Sequence, residues 1–191
     1  MMKLALAFLT LIALSIVSFT QNSQTPSTKP DAAKPFVSTD GKFSIALPEV
    51  SGDPVSWDVG IGKFTGQGFT WHMSECSYTL YYADKPGNMR SRNAGRVLET
   101  FRRQVLYQMQ VEKGKNRLDM PIRMGYYPGR EFKWETEFMA VMMRAYCTGD
   151  RLYVLTANVP EPQGKDKSAA MKTISSFKIL EDSDLKRLNK R

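Results

Sequence analysis

The run that decides the fold is Tyr126-Tyr127-Pro128-Gly129-Arg130-Glu131-Phe132, then Glu137 through Cys147, the break Thr148-Gly149-Asp150, and Arg151 through Val159 before Pro160. It reads as strands joined by tight turns. Gly149-Asp150 between two β-prone stretches fits a two-residue turn of the Gly-X kind. Such a turn pairs Thr148 with Arg151, Cys147 with Leu152, Tyr146 with Tyr153 and Ala145 with Val154. Directly opposed residues share a face. One face then carries Val141, Met143, Ala145, Cys147, Leu152 and Val154; the other carries Phe138, Ala140, Met142, Tyr146, Tyr153, Leu155, Ala157 and Val159. A sheet with one wet face alternates apolar with polar residues. This hairpin is apolar on both faces, Arg144 excepted, so it is predicted to be central and covered on both sides. Helical covers give an α+β fold: a three-layer α/β/α sandwich around a central antiparallel β-sheet.

Upstream, Phe43, Ile45 and Leu47 alternate before Pro48, which predicts a strand. Residues 49–62 read as irregular, punctuated by Gly52, Pro54, Gly60 and Gly62. Phe64–Met73 and Ser77–Ala83 alternate as two strands around a turn. Asn93 can cap a helix running to about Lys113, stopped by Gly114, with Ala94, Leu98, Phe101, Val105 and Met109 as its buried stripe. Leu118, Met120, Ile122 and Met124 alternate, but Pro121 among them assigns that strand to a sheet edge. Gly125 to Arg130 reads as a turn, followed by a short strand to Trp134. Downstream, Asp166 can cap a short helix carrying Ala170, Ile174 and Phe177.

The N-terminus has Lys3 followed by an apolar run to Val17, the pattern of a secretory signal peptide. The predicted domains are a signal peptide over 1–20, a disordered Ser/Thr/Pro-rich tether over 21–35, a folded domain over 36–180 and a charged, mobile tail over 181–191. An uncleaved anchor is the other reading of the leader, although the run is shorter than the ~20 residues a spanning helix prefers. The chain is expected to be exported, periplasmic or secreted. Its formal net charge of +8 favours anionic partners. Outside the cytoplasm nucleic acid is not the expected one, and membrane contact is expected only through an uncleaved leader. Two cysteines in an exported chain permit one disulfide; the other reading is two buried thiols. Cys76 begins a strand and Cys147 ends one, both near sheet ends, and a Cys76–Cys147 bridge is predicted.

Several phrases resemble a family of small α/β/α sandwich proteins, typified by the PsbP extrinsic protein of photosystem II and the Ran-binding Mog proteins. They are Asp40-Gly41-Lys42-Phe43-Ser44-Ile45 before Pro48, Tyr81 to Pro86, Tyr127-Pro128-Gly129-Arg130-Glu131, Arg144 to Tyr153 around Gly149, and Ser176 to Ile179. They are similar to an exported bacterial branch of that family. The resemblance implies a binding or assembly role, usually without catalysis; no cofactor is expected.

The residues point the same way. His72 is the single histidine, so a Ser-His-Asp or Cys-His arrangement would have to use it; it lies mid-strand, with no nucleophile elbow or phosphate loop beside it. No spacing of Cys, His and carboxylates argues for a zinc site. Met73, Met120, Met124, Met139, Met142 and Met143 with His72 could offer soft ligands to Cu(I), but methionines on apolar strand faces fill cores. Arg90, Arg92, Arg96, Arg103 and Arg130 form a candidate basic contact surface for a partner or an anion. The function expected is a non-catalytic binding or assembly module of the cell envelope. The alternatives are a binder of a small ligand or anionic polymer through that basic surface, and a hydrolase without a recognisable signature.

Overall fold

In the structure, a computed structural model, the residues described are 35–48, 52–58, 63–73, 75–85, 93–160 and 166–188. The signal peptide, the tether but for its last residue, and Arg90 and Arg92 lie outside them. Among the described residues the strands form two antiparallel sheets. The larger has seven strands: β3 (Asp53–Asp58), β4 (Lys63–Met73), β5 (Cys76–Asp84), β6 (Lys115–Met124), β7 (Tyr127–Glu135), β8 (Met139–Cys147) and β9 (Arg151–Pro160). Their spatial order is β3-β4-β5-β9-β8-β7-β6. The smaller has three: β1 (Phe36–Ser38), β2 (Phe43–Ile45) and β10 (Lys178–Ile179), with β2 in the middle. The helices are α1 (Ala94–Val111), α2 (Asp166–Ser175) and α3 (Asp182–Leu188).

The β8–β9 hairpin has the register that the sequence predicts, with Cys147 opposite Leu152, Tyr146 opposite Tyr153 and Ala145 opposite Val154. Both faces are buried over Ala140–Met143 and over Leu152–Leu155. The turn differs. Neither Gly149 nor Asp150 takes a left-handed φ. Instead Arg151 N donates to Thr148 Oγ1 at 3.0 Å, so a side chain completes the end of the ladder. The Gly-X geometry occurs at Gly125-Tyr126, where Gly125 has φ +57 and Met124 faces Tyr127. β7 therefore starts at Tyr127, and Pro128-Gly129 lies inside a strand rather than in a turn. Pro128 is tolerated because β8 pairs with β7 only from Gly129 onward, so its missing N–H breaks no bond on that side. Phe138, expected on a buried face, is 74% exposed. It belongs to the β7–β8 turn, where Thr136 Oγ1 accepts from Phe138 N and Met139 N.

α1 rests on β7 and β8, its Phe101 ring 6.2 Å from Phe132, which stands opposite Met143. The other face of the sheet is covered by the small sheet together with α2. There Phe43, Phe69, Tyr82, Tyr146, Tyr153, Ile174 and Phe177 form one core. Helices are few, so the expected pair of helical layers gives way to α1 on one side and a mixed cover on the other. What stands is a sheet-rich, antiparallel architecture. Phe36 packs on Phe43, Phe69 and Trp71 at 5.5–5.9 Å, which ties β1 to the core.

Three more expectations are corrected. Residues 53–58 form an edge strand, not an irregular stretch; Pro54 is harmless at an edge. The charged end, predicted to be a mobile tail, carries α3, tied by Lys42 Nζ donating to Asp182 Oδ1 at 2.8 Å. Cys76 and Cys147 form no disulfide. Cys76 joins the core beneath the small sheet, while Cys147, one residue on from Tyr146 of that core, points to the opposite face. Asn158, opposite Ser77 beside Cys76, and Leu152, opposite Cys147, are separated along β9 by ~20 Å at ~3.3 Å per residue, far beyond the ~7 Å that a bridge tolerates between Cα atoms.

Candidate functional site

Asn93 starts α1 as predicted, its Oδ1 accepting from Gly95 N at 2.9 Å. Val97, Leu98, Phe101, Val105 and Met109 are buried against the sheet. Ala94, included in the predicted stripe, is only half-buried. The helix ends at Glu112, and Lys113, not Gly114, takes the left-handed φ. Gly114 is a glycine for space: a Cβ there would stand 2.9 Å from Trp134 Cδ1.

The outer side of the helix carries Arg96, Arg103 and Tyr107. At ~100° per residue they fall within ~40° of one another about the helix axis. Arg96 and Arg103 are exposed, and neither forms an ion pair with a described residue. Arg103 Nη2 makes one long contact to Thr100 Oγ1 at 3.4 Å. Tyr107 is 54% exposed and Val111, on the flank of the stripe, 44%.

Arg130 does not join them. It and Arg102 are both held by Asp119 of β6: Arg130 Nε donates to Oδ1 at 2.8 Å and Arg102 Nε to Oδ2 at 2.5 Å. Arg102 Nη1 also donates to Glu99 Oε1 at 3.1 Å. These hydrogen bonds hold the Arg102 guanidinium above its ordinary pKa, Asp119 contributing most. The predicted basic surface is thus divided: Arg96 and Arg103 face outward, Arg130 is neutralised, and Arg90 and Arg92 lie outside the described residues. Sequence reading missed Arg102 and Asp119. The signal was the turn at Gly125-Tyr126, because the register it sets puts Asp119 diagonal to Arg130 on one face.

On the opposite face Glu131, 6% exposed, stands directly across from Arg144. Arg144 Nε donates to Oε2 at 2.6 Å, Lys133 Nζ lies 2.8 Å from Oε1, and Arg144 Nη1 reaches Ser175 Oγ at 3.1 Å. Burial alone would push the Glu131 carboxyl up; the hydrogen bonds and charges of Lys133 and Arg144 outweigh it and leave the carboxyl low. This cluster ties the end of α2 to the sheet. It is fully engaged and offers no acid or base to a substrate.

His72 is exposed and faces Ser77 across β4–β5, and Ser77 Oγ accepts from Asn158 Nδ2 at 3.3 Å. The row is a cross-strand polar ladder within paired strands, not an elbow. The methionines do not converge: Met142 and Met143 lie on opposite faces, and Met124 Sδ accepts from Ile179 N at 3.4 Å. Among the described residues no group of three or more His, Cys, Asp and Glu is placed to hold a metal. A shallow groove of ≈ 360 Å³ opens beside β1, lined in part by Phe36, Asp40, Gln67, Phe69 and Tyr82. Arg151 stacks on Tyr82 with its Cζ 4.6 Å from the ring centre, and donates to Asp84 Oδ1 and Asp40 O at 2.6 Å, so its charge is already engaged.

No protein-family model and no curated protein sequence matches the chain. Among solved structures, the solution structure of cyanobacterial PsbP (CyanoP) from Synechocystis sp. PCC 6803 is similar to it, at 10% sequence identity over 82% of this chain and 98% of that chain, with a TM-score of 0.47.

Proposed function

We propose that the folded part of this chain is a non-catalytic binding or assembly module of the cell envelope, and that it engages an anionic partner through the outer stripe of α1. One observation carries the reading. Arg96 and Arg103 project from a helix whose inner side is fully packed, with no acid among the described residues to neutralise them, while neighbouring Arg102 and Arg130 share Asp119. A helix fixed by its packing presents these cations with little backbone left to order on binding. The Lys3-plus-apolar leader supports export to the periplasm or beyond. The phrases shared with PsbP-type proteins, together with α1 and α2 on opposite faces of an antiparallel sheet, support an α/β/α sandwich of that type.

Partner capture from the native envelope by tagged wild type and by Arg96→Glu plus Arg103→Glu tests the proposal. Loss of capture in the double variant is expected, and equal capture removes the stripe from it. A hydrolytic turnover abolished by His72→Ala would overturn the non-enzyme reading.

A further inference from the structure

We infer that the surface met by the α1 stripe is the anionic headgroup layer of a lipid bilayer. The inference rests on the binding reading above and names its partner, in contrast to the sequence expectation that only the leader meets a membrane. The cations are spread out rather than convergent. Arg96 and Arg103 are ~10 Å apart along the helix, and the stripe runs on through Tyr107 to Val111, ~22 Å from Arg96. Spaced in this way along one stripe, the two guanidiniums match a plane of repeating phosphates. Exposed Lys113 and Lys115 follow the helix in sequence and add positive charge near its end; Glu135, opposite Lys115, is already paired with Lys167. The acids of α1 and its cap are engaged by other groups: Glu99, exposed beside the stripe, accepts from Arg102, and Glu112 accepts from Gln108 Nε2 and Trp134 Nε1, each at 2.6 Å. Tyr107 and Val111 then supply what a purely ionic contact would not need. An aromatic ring with a polar tip and a short apolar side chain, beside arginines, suit the boundary between headgroups and acyl chains. The net charge of +8 acts in the same direction at longer range.

The whole chain is mixed with vesicles of phosphatidylcholine alone and of equal parts phosphatidylcholine and phosphatidylglycerol, and the bound fraction is read by co-sedimentation. The apolar run contributes alike to both, whereas every cation of the +8 chain favours the anionic vesicles, so the share of the stripe is read from the substitutions within it. Wild type should prefer the anionic vesicles, and Arg96→Gln plus Arg103→Gln should lower that binding by about 30-fold while leaving binding to phosphatidylcholine unchanged. Tyr107→Ala, which removes no charge, should weaken binding to the anionic vesicles several-fold. Equal binding of wild type to both vesicles overturns the inference. So does binding that soluble poly-glutamate abolishes and Tyr107→Ala leaves intact, since that pattern belongs to an acidic polymer or protein. In either case partner capture that still depends on Arg96 and Arg103 keeps the broader binding reading, whereas loss of both removes the two together.

Discussion

Gly129 shows how one missing methyl sets a packing distance. A Cβ there would stand 2.5 Å from Ala145 O and 2.6 Å from Tyr146 Cδ1. The carbonyl is part of the sheet and cannot retreat, so Gly129→Ala should cost about 1–3 kcal/mol. The denaturation midpoint would fall with the slope unchanged. Gly149→Ala is the control: nothing lies within 4 Å of its Cβ, φ is outside the left-handed region, and the change should stay within about 0.5 kcal/mol. Similar losses at both positions would refute the packing account. Glu131 makes a prediction about acid. Its carboxyl is held low in the folded state, so its stabilisation is complete above the unfolded value of about 4.3 and is lost as pH falls through the lower folded value. Glu131→Gln should lose about 3 kcal/mol at neutral pH by leaving Arg144 and Lys133 without their anion. Below about pH 4 its stability should then decline less steeply than that of wild type. Urea melts at several pH values check this, and curves that stay parallel throughout would contradict it.

At the scale of elements, β6 is the strand most open to neighbours. It forms one edge of the large sheet, and Pro121 sits within it with no N–H to offer. Pro121→Val should restore that donor and raise self-association, read as concentration-dependent light scattering; a variant as monomeric as wild type would show that the edge is guarded otherwise. This edge was legible from the proline alone, as α1 was from its cap and its 3.6-residue stripe, and the β8–β9 register from a short break between two apolar runs. The misses have physical causes. Pro128-Gly129 has the composition of a turn, but pairing overrode it: the proline falls just beyond the β7–β8 ladder, and the glycine makes room for Tyr146. β1 and β10, of three and two residues, are too short to show a period. β3 did alternate, through Val55 and Trp57, and was obscured by Gly52 and Pro54. Of the candidate site, the basic helix face could be read from spacing. Which arginines remain unneutralised depended on Asp119, and hence on a register set by a turn assigned to the wrong residues.

For the whole molecule, the cysteines give the plainest test. With no bridge, a reductant should leave the unfolding midpoint unchanged, and both thiols should titrate in the unfolded chain without prior reduction. Burial pushes the Cys147 thiol up, so alkylation of the folded protein at neutral pH should be slow and should track opening of the sheet. Detection of no thiol would restore the disulfide. The order of the large sheet carries a further consequence, for a chain that emerges N-terminus first from a ribosome or a translocon. β3, β4 and β5 can zip together as they appear, and so can β6, β7 and β8, each by local hairpins. β5 and β8 never touch in the large sheet; β9, arriving last of the seven, pairs with both. Until residue 160 is free the nascent protein is two separate ribbons, each with an unpaired edge awaiting the same strand. Arrival of that one strand joins them, as a keystone closes an arch.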